Sequence, residues 1–258
     1  MTTAKQRSFY RSALGHWMSA YWGIALVFAA WIAGFQFAPV NAIVFPSIDM
    51  VIKDLITNPT VYFNALEYTA TLAVTGLVVG LLMGASMAVV SWGSVVLRSM
   101  LLPLGLLLSS IPVVAIIPII TRLCGPGHLA VLCVVAVITF LPAFVSLSSG
   151  LISTTPSSEQ LFIVMGAGRW ARFRYLALPS SVPHALMGLS IAAPSAIMAA
   201  MTAEYLIGTQ GLGYELRSSM ANFAVDRVVG AALIATMFAV VVLGMTKGLE
   251  KFCLKRWS

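Results

Sequence analysis

Apolar residues fall along this chain in long, nearly unbroken runs, not at the spacing that marks a half-buried helix or strand. The runs cover 17–38, 69–92, 97–120, 129–150, 185–207 and 228–248. A helix needs about 20 mostly apolar residues to cross the hydrocarbon of a bilayer, so each run predicts a membrane span. Pro103, Pro112 and Pro118 interrupt the third. Each removes a backbone donor, and broken helices at membrane depth require cover by protein or by a wet cavity. This span is therefore expected to break and to face the protein interior, with Pro142 and Pro194 making the same case more weakly. Gly76, Gly80 and Gly84 give span two a smooth face, and Ala192, Ala196, Ala199, Ala200 and Ala203 put small residues on span five. Both predict close helix contacts, within one subunit in preference to a seam between two.

Composition sharpens the reading. Apolar residues make up 60% of the chain and charged residues 9%, against about a quarter charged in soluble domains. No polar coat can be built from this, so lipid is the solvent of the folded surface. The net charge of +7 does not form a nucleic-acid face, because the cations sit in short clusters between the runs. One side of a six-span chain receives Lys5, Arg7, Arg11, Arg98, Arg169, Arg172, Arg174, Lys247, Lys251, Lys255 and Arg256. The other receives Lys53, Arg122, Arg217 and Arg227. Eleven against four places both termini in the cytoplasm, and the acids Glu159 and Glu250 lie on the same side. The organisation predicted is a cytoplasmic segment 1–16 and one membrane domain 17–258, with a cytoplasmic loop at 151–183. The first run is too long for a cleavable signal. Cys124, Cys133 and Cys253 have no metal-ligand spacing and read as packing residues.

The loop is the segment with chemistry to read. Hydroxyls at 154–158 with Pro156 and Glu159 announce a helix start, and Gly166 and Gly168 interrupt that helix. Trp170 and Phe173 then alternate with Arg169, Arg172 and Arg174 before Leu178 and Pro179 lead into span five. Aromatic anchors and cations displayed toward the cytoplasm suit two uses. They can dock into a groove on a soluble partner, or lie on anionic lipid with Arg at the phosphates and Trp among the headgroups.

Gly166, Ala167, Arg169, Trp170, Phe173, Arg174, Leu178, Pro179 and Pro183 resemble the cytoplasmic loop signature of binding-protein-dependent ABC importer permeases, the EAA loop. Similarity extends over most of the chain: Phe45-Pro46-Ser47, Leu102-Pro103, Ile111-Pro112, Ala115, Pro118, Gly125-Pro126-Gly127, Ala203-Glu204 and Gly211-Leu212-Gly213. The pattern is most similar to the nitrate, sulfonate and taurine branch, which includes permeases for vitamins and pyrimidine precursors. The resemblance implies an all-α membrane protein of six spans with type I importer architecture, in a bacterial inner membrane. It implies that 166–174 forms a coupling helix seated in an ATP-hydrolysing subunit. The residues given this coupling role are Glu159, Gln160, Gly166, Ala167, Gly168, Arg169, Trp170, Arg172, Phe173, Arg174, Leu178 and Pro179. One departure stands out: Gln160 occupies the family's glutamate position and Phe162 its alanine position, with Glu159 one residue early.

The chain has no Gly-x-x-x-x-Gly-Lys-Ser/Thr segment to cradle phosphates, so ATP and Mg belong to a partner and no catalysis or cofactor is expected here. The implied assembly is two permeases (a homodimer by the commonest symmetry), two cytoplasmic ATPases and a periplasmic or lipid-anchored solute-binding protein. Candidate pathway or gate residues are Ser109, Ser110, Pro112, Met198 and Glu204, the serines alternatively satisfying carbonyls freed by the prolines and Glu204 alternatively capping structure. His128 and His184 read as interfacial. An ion-coupled secondary transporter or channel is the competing class, but it calls for buried coupling acids or an inverted repeat, and neither is evident. No metal or nucleophile constellation supports an intramembrane enzyme.

Overall fold

The computed structural model describes Trp22, Leu26 and residues 46–257; for residues 108, 109, 256 and 257 only the backbone is described. By its contacts the chain divides into units 1–50 and 51–258. The predicted segment 1–16 and most of span one (17–38) lie outside the described residues. Trp22 and Leu26 are helical. The helices are α1 (Ile48–Thr57), α2 (Pro59–Trp92), α3 (Val95–Ser109), α4 (Val113–Cys124), α5 (His128–Leu151), α6 (Pro156–Val164) and α7 (Arg169–Arg172). A π-helical turn (Phe173–Ala177) comes next, then α8 (Leu178–Ile207), α9 (Leu212–Ala221) and α10 (Val225–Trp257). Among the described residues, four stretches are long and apolar enough to cross a membrane: α2, α5, Arg169–Ile207 and Val225–Lys255. They contain the predicted spans two, four, five and six.

The core is the packing of α2, α5 and α8. With lipid outside and no hydrophobic drive between helices, close backbone approach and dispersion hold such a core together. Small residues make that approach possible. A Cβ on Gly76 would sit 2.6 Å from the Val135 side chain, and one on Gly84 would sit 2.7 Å from Ala143 Cβ and 2.8 Å from the Phe140 carbonyl oxygen. The alanines of α8 are buried against the same helices. Both small-residue faces thus serve contacts within one chain, as their sequence predicts. His184 departs from its interfacial reading. It packs over Gly150, where an added Cβ would come within 2.7 Å of its own.

Span three is two half-helices, as its prolines require. Pro112 caps α4 with extended backbone (φ −57°, ψ 130°), and Pro103 and Pro118 lie inside the halves. The expected interior position is not met within the single chain. Val95, Val96, Leu104 and Leu107 of α3 and Val114, Ile119 and Leu123 of α4 are exposed; Ile117 and Ile120 are buried in the core, and Leu101, Leu102, Val113, Ile116 and Cys124 pack half-buried against it. The reason is space: α2, α5 and α8 already fill the centre of the bundle.

At the bundle end opposite the loop, polar residues tie the helices together. Asp54 of α1 accepts from Tyr62 Oη, from Asn58 Nδ2 at 2.7 Å and from Arg227 Nη2 at 3.2 Å, joining α1, α2 and α10. Burial pushes the Asp54 carboxyl up, but hydrogen bonds from Tyr62, Arg227 and Asn58 outweigh it and hold it below 3.8. A depressed carboxylate contributes stability above its unfolded value and loses it as pH falls through the folded one. The thermal midpoint of the purified chain is therefore expected to fall as pH drops below about 4, and Asp54→Asn to flatten that acid limb. An unchanged acid limb in Asp54→Asn would remove the contact from the account.

Candidate functional site

The loop between α5 and α8 begins with a helix made by its own ends. Thr155 caps α6, accepting from Ser158 N–H at 3.4 Å with its hydroxyl 2.7 Å from that of Ser158, and Pro156 fills the first turn where no donor is needed. At the other end Gly166 has φ +72°. Its N–H donates to Ile163 O and that of Ala167 to Phe162 O, both at 2.9 Å. That pair of bonds is the Schellman closure. So the free-standing helix is Pro156–Val164, and 166–174 is a cap, a bend and the start of span five. The single helix expected over 166–174 is thereby corrected. A left-handed glycine at the closing position cannot continue the helix, and the chain restarts at Arg169.

Gly166 and Gly168 separate cleanly. A Cβ at either meets nothing within 4 Å, but only Gly166 has positive φ, Gly168 being extended at φ −65°, ψ 167°. Gly166→Ala is expected to cost about 1 kcal/mol by placing a Cβ in the left-handed region, while Gly168→Ala is expected to be close to neutral. Thermal midpoints of the two variants check this, and equal shifts would contradict it.

The second half of the loop is riveted to the bundle. Phe173 is buried with Ala88, Phe144, Leu151 and Ala177, its ring 5.0 Å from Trp92 and 5.6 Å from Trp170. Arg169 Nη2 donates to Gly93 O at 2.8 Å. Phe173 is thus an internal anchor, not the displayed aromatic that its spacing with Trp170 predicts. Leu178 N–H donates to Phe173 O, the five-residue reach of a π turn. Pro179 has no N–H for the preceding turn and its ring crowds the carbonyl four residues back, which a wider turn relieves. Leu178 and Pro179 therefore do open the membrane helix.

The part left exposed is apolar. No residue of α6 or α7 is buried. Leu161, Ile163, Val164 (85% exposed), Met165 and Trp170 (72% exposed) project from the loop. Gln160 and Gly168 are also exposed, and Ala167 partly so. Glu159 lines a cleft of about 260 Å³ with Arg98, Arg172, Thr154 and Trp92. Arg172 Nε is buried there without a partner. Arg174 lies 6.0 Å from the ring of Tyr175. Arg172 is half-buried in this cleft, whereas Glu159 at its mouth and Gln160 beside it are both exposed.

The pathway candidates scatter. The Ser109 side chain lies outside the described residues. Ser110 is exposed at the break of span three, its hydroxyl donating to Leu106 O at 3.3 Å, and Pro112 caps α4. Met198 stands on an exposed face of α8 with Met187 and Ile191. Glu204 is elsewhere: it is 0% exposed and accepts from Thr69 Oγ1 at 2.8 Å and from Gly213 N–H at 3.0 Å, while Leu212 N–H donates to Thr69 at 2.8 Å. Glu204 Oε1 is buried without a hydrogen-bond partner, but Thr69 thus takes the first N–H of α9 and Glu204 the second. Arg217 does the reverse for α8, donating to Leu206 O at 3.2 Å and Gly208 O at 2.8 Å. The capping alternative for Glu204 is thus the one its geometry matches. Sequence reading missed α9 as a helix, although Gly211 (φ +99°) before Leu212 marks a start.

The described residues form a bundle of membrane-length helices with one broken crossing and a projecting, apolar, glycine-punctuated loop. Residues 76–253 match the family described as binding-protein-dependent transport system inner membrane component, and the chain belongs to that family. It is 29% identical over 207 residues, 80% of this chain and 83% of the other, to the formylaminopyrimidine transport permease protein ThiX of Halalkalibacterium halodurans. It is 28% identical over 171 residues, 66% of this chain and 59% of the other, to the taurine transport system permease protein TauC of Escherichia coli. The fold matches a chain of a bacterial ABC transporter involved in import of the acidic polysaccharide alginate, with TM-score 0.64 and 14% identity over 96% of each chain. This is the type I importer permease architecture, in a multi-pass inner-membrane subunit of an ABC importer.

Proposed function

We propose that this chain forms half of the translocation pathway for a small solute delivered by a binding protein, and that α6 with 165–170 couples it to an ATPase. The observation that carries the coupling role is the exposed ridge Leu161, Ile163, Val164, Met165 and Trp170 on a loop that Phe173 and Arg169 hold rigidly to the spans. Force applied at Trp170 reaches α8 directly, because Arg169 to Ile207 is helical throughout, and force on α6 reaches it through the bend at 165–168. Glu159, at the mouth of the cleft lined by Arg98 and Arg172, and Gln160 beside it are both exposed to the partner in this reading.

The partners in this reading are two ATPases holding ATP and Mg, a binding protein and a second copy of this chain. The exposed broken span supports the second copy, since an open backbone at 110–112 requires cover in the membrane. Its interior would then be the interface, with Ser110, Pro112 and Met198 toward the pathway. Both termini lie in the cytoplasm by the charge split. The relatives direct the substrate toward sulfonates such as taurine or toward vitamin and pyrimidine-precursor molecules, and the sequence resemblance adds nitrate. Reconstitution with the ATPase and binding protein is expected to give uptake that requires ATP hydrolysis. Uptake driven by an ion gradient without any ATPase would establish the competing secondary-transporter reading instead.

A further inference from the structure

We propose that Cys124 and Cys133 are an oxidation site, joined in the membrane-inserted chain as an intrachain disulfide at the outer end of α4 and α5. Their Sγ atoms lie 3.5 Å apart, although nine positions separate them and neither spacing nor hydropathy pairs them. Both are partly buried beside Ile120, Ala130 and Val134. Bonding at about 2.05 Å asks the sulfurs to close by about 1.5 Å. The intervening turn can supply that movement. Gly125 (φ +78°) and Gly127 (φ +119°) frame Pro126, and a Cβ on either glycine would meet nothing within 4 Å, so the turn is uncrowded.

The bond has a mechanical use. α4 is a half-helix cut from α3 at residues 110–112, and it packs on the bundle through apolar contacts of Val113, Ile116, Ile117, Ile120 and Cys124. A disulfide at its far end pins α4 to α5 and confines bending to the break. The chemistry is thiol–disulfide exchange with an extracytoplasmic protein disulfide. One cysteine thiolate attacks the donor disulfide, and the second displaces the donor from the mixed disulfide. The S–S bond forms, the donor leaves as a dithiol with both protons, and two electrons pass to it. The compartment rests on the orientation proposed above; the geometry does not.

Cys253, near the other end of α10, tests orientation in the same molecule. Intact and permeabilised cells are treated with a membrane-impermeant maleimide, then free thiols are blocked and peptides mapped by mass spectrometry with and without reductant. The expected result is Cys253 labelled only after permeabilisation, and Cys124 and Cys133 recovered as one linked peptide in most of the chain, released by reductant. Cys124→Ser should leave Cys133 free to alkylate. Cys253 labelled in intact cells would overturn the orientation, and oxidation of the purified chain by copper–phenanthroline then decides the geometry alone. Two separately alkylated cysteines in cells with Cys253 inside would overturn the native disulfide. Failure to link even under copper–phenanthroline would overturn the site itself.

Discussion

Replacing Leu161 and Val164 together by aspartate is expected to abolish ATP-driven transport while leaving the chain folded in the membrane. Both side chains project from a helix with no buried residue, and substitutions at such positions usually move stability by no more than about 0.5 kcal/mol. Apolar anchors at the centre of a docking surface, by contrast, cost about 2 kcal/mol or more each when lost, which is about 30-fold in affinity. Charging them adds the cost of burying two carboxylates. The double variant should therefore accumulate normally with an unchanged thermal midpoint, fail to retain its ATPase on co-purification, and lose at least about tenfold in uptake. Retention of both ATPase and uptake would mean that the ridge rests on lipid, the second use to which the loop sequence is suited. Glu159→Gln makes the contrast: it should leave docking intact, because the docking ridge is apolar and Glu159 stands off it at the mouth of the cleft lined by Arg98 and Arg172.

Gly80→Val is expected to be the most damaging single substitution in the bundle. A Cβ at Gly80 would fall on Thr139 Oγ1, 2.6 Å from the Ala136 carbonyl oxygen and 3.0 Å from the Phe140 nitrogen. Two of these neighbours are backbone of α5, so no rotamer change relieves the overlap, and α2 and α5 must separate. Overpacking costs about 1–3 kcal/mol where side chains yield, and here they do not. Separation would also undo the Thr139 hydroxyl bond to Gly76 O at 3.4 Å, leaving Thr139 only its bonds to carbonyls of its own helix. Detergent-extracted chain running as a single sharp peak in size exclusion should fall several-fold, whereas Gly244→Val, where a Cβ meets nothing, should behave as wild type. A normal yield of Gly80→Val would show that the close α2–α5 approach is not what holds the bundle.

Several features were readable because their causes are local. An apolar run long enough to span lipid has no other solvent, so α2, α5, α8 and α10 could be placed from the run alone. Thr155, Pro156 and Gly166 act on backbone groups within a turn or so of themselves, and that sets the boundaries of their helix. The prolines of span three break it wherever it sits. The small residues of spans two and five predict close packing for the same reason, although the Val135–Thr139–Ala143 face that receives the glycines belongs to another helix.

The remaining features depend on which distant residues meet, and no period or motif encodes that. Glu204 at a span end is equally a gate residue or a cap until Thr69 and Gly213 are found against it. Phe173 and Trp170 have the same spacing and chemistry on either side of the membrane surface, and only Trp92 and Leu151 decide that one turns inward. Glu159 acquires Arg98 as a neighbour across more than sixty residues of chain. Cys124 and Cys133 read as two packing residues until a left-handed turn brings their sulfurs together. Residue order alone sets the solvent, the spans, the caps and the breaks in the loop, because burial and backbone bonding act residue by residue. Packing between helices decides which side chains are anchors, which are latches and which are left exposed, because those roles exist only where two helices meet.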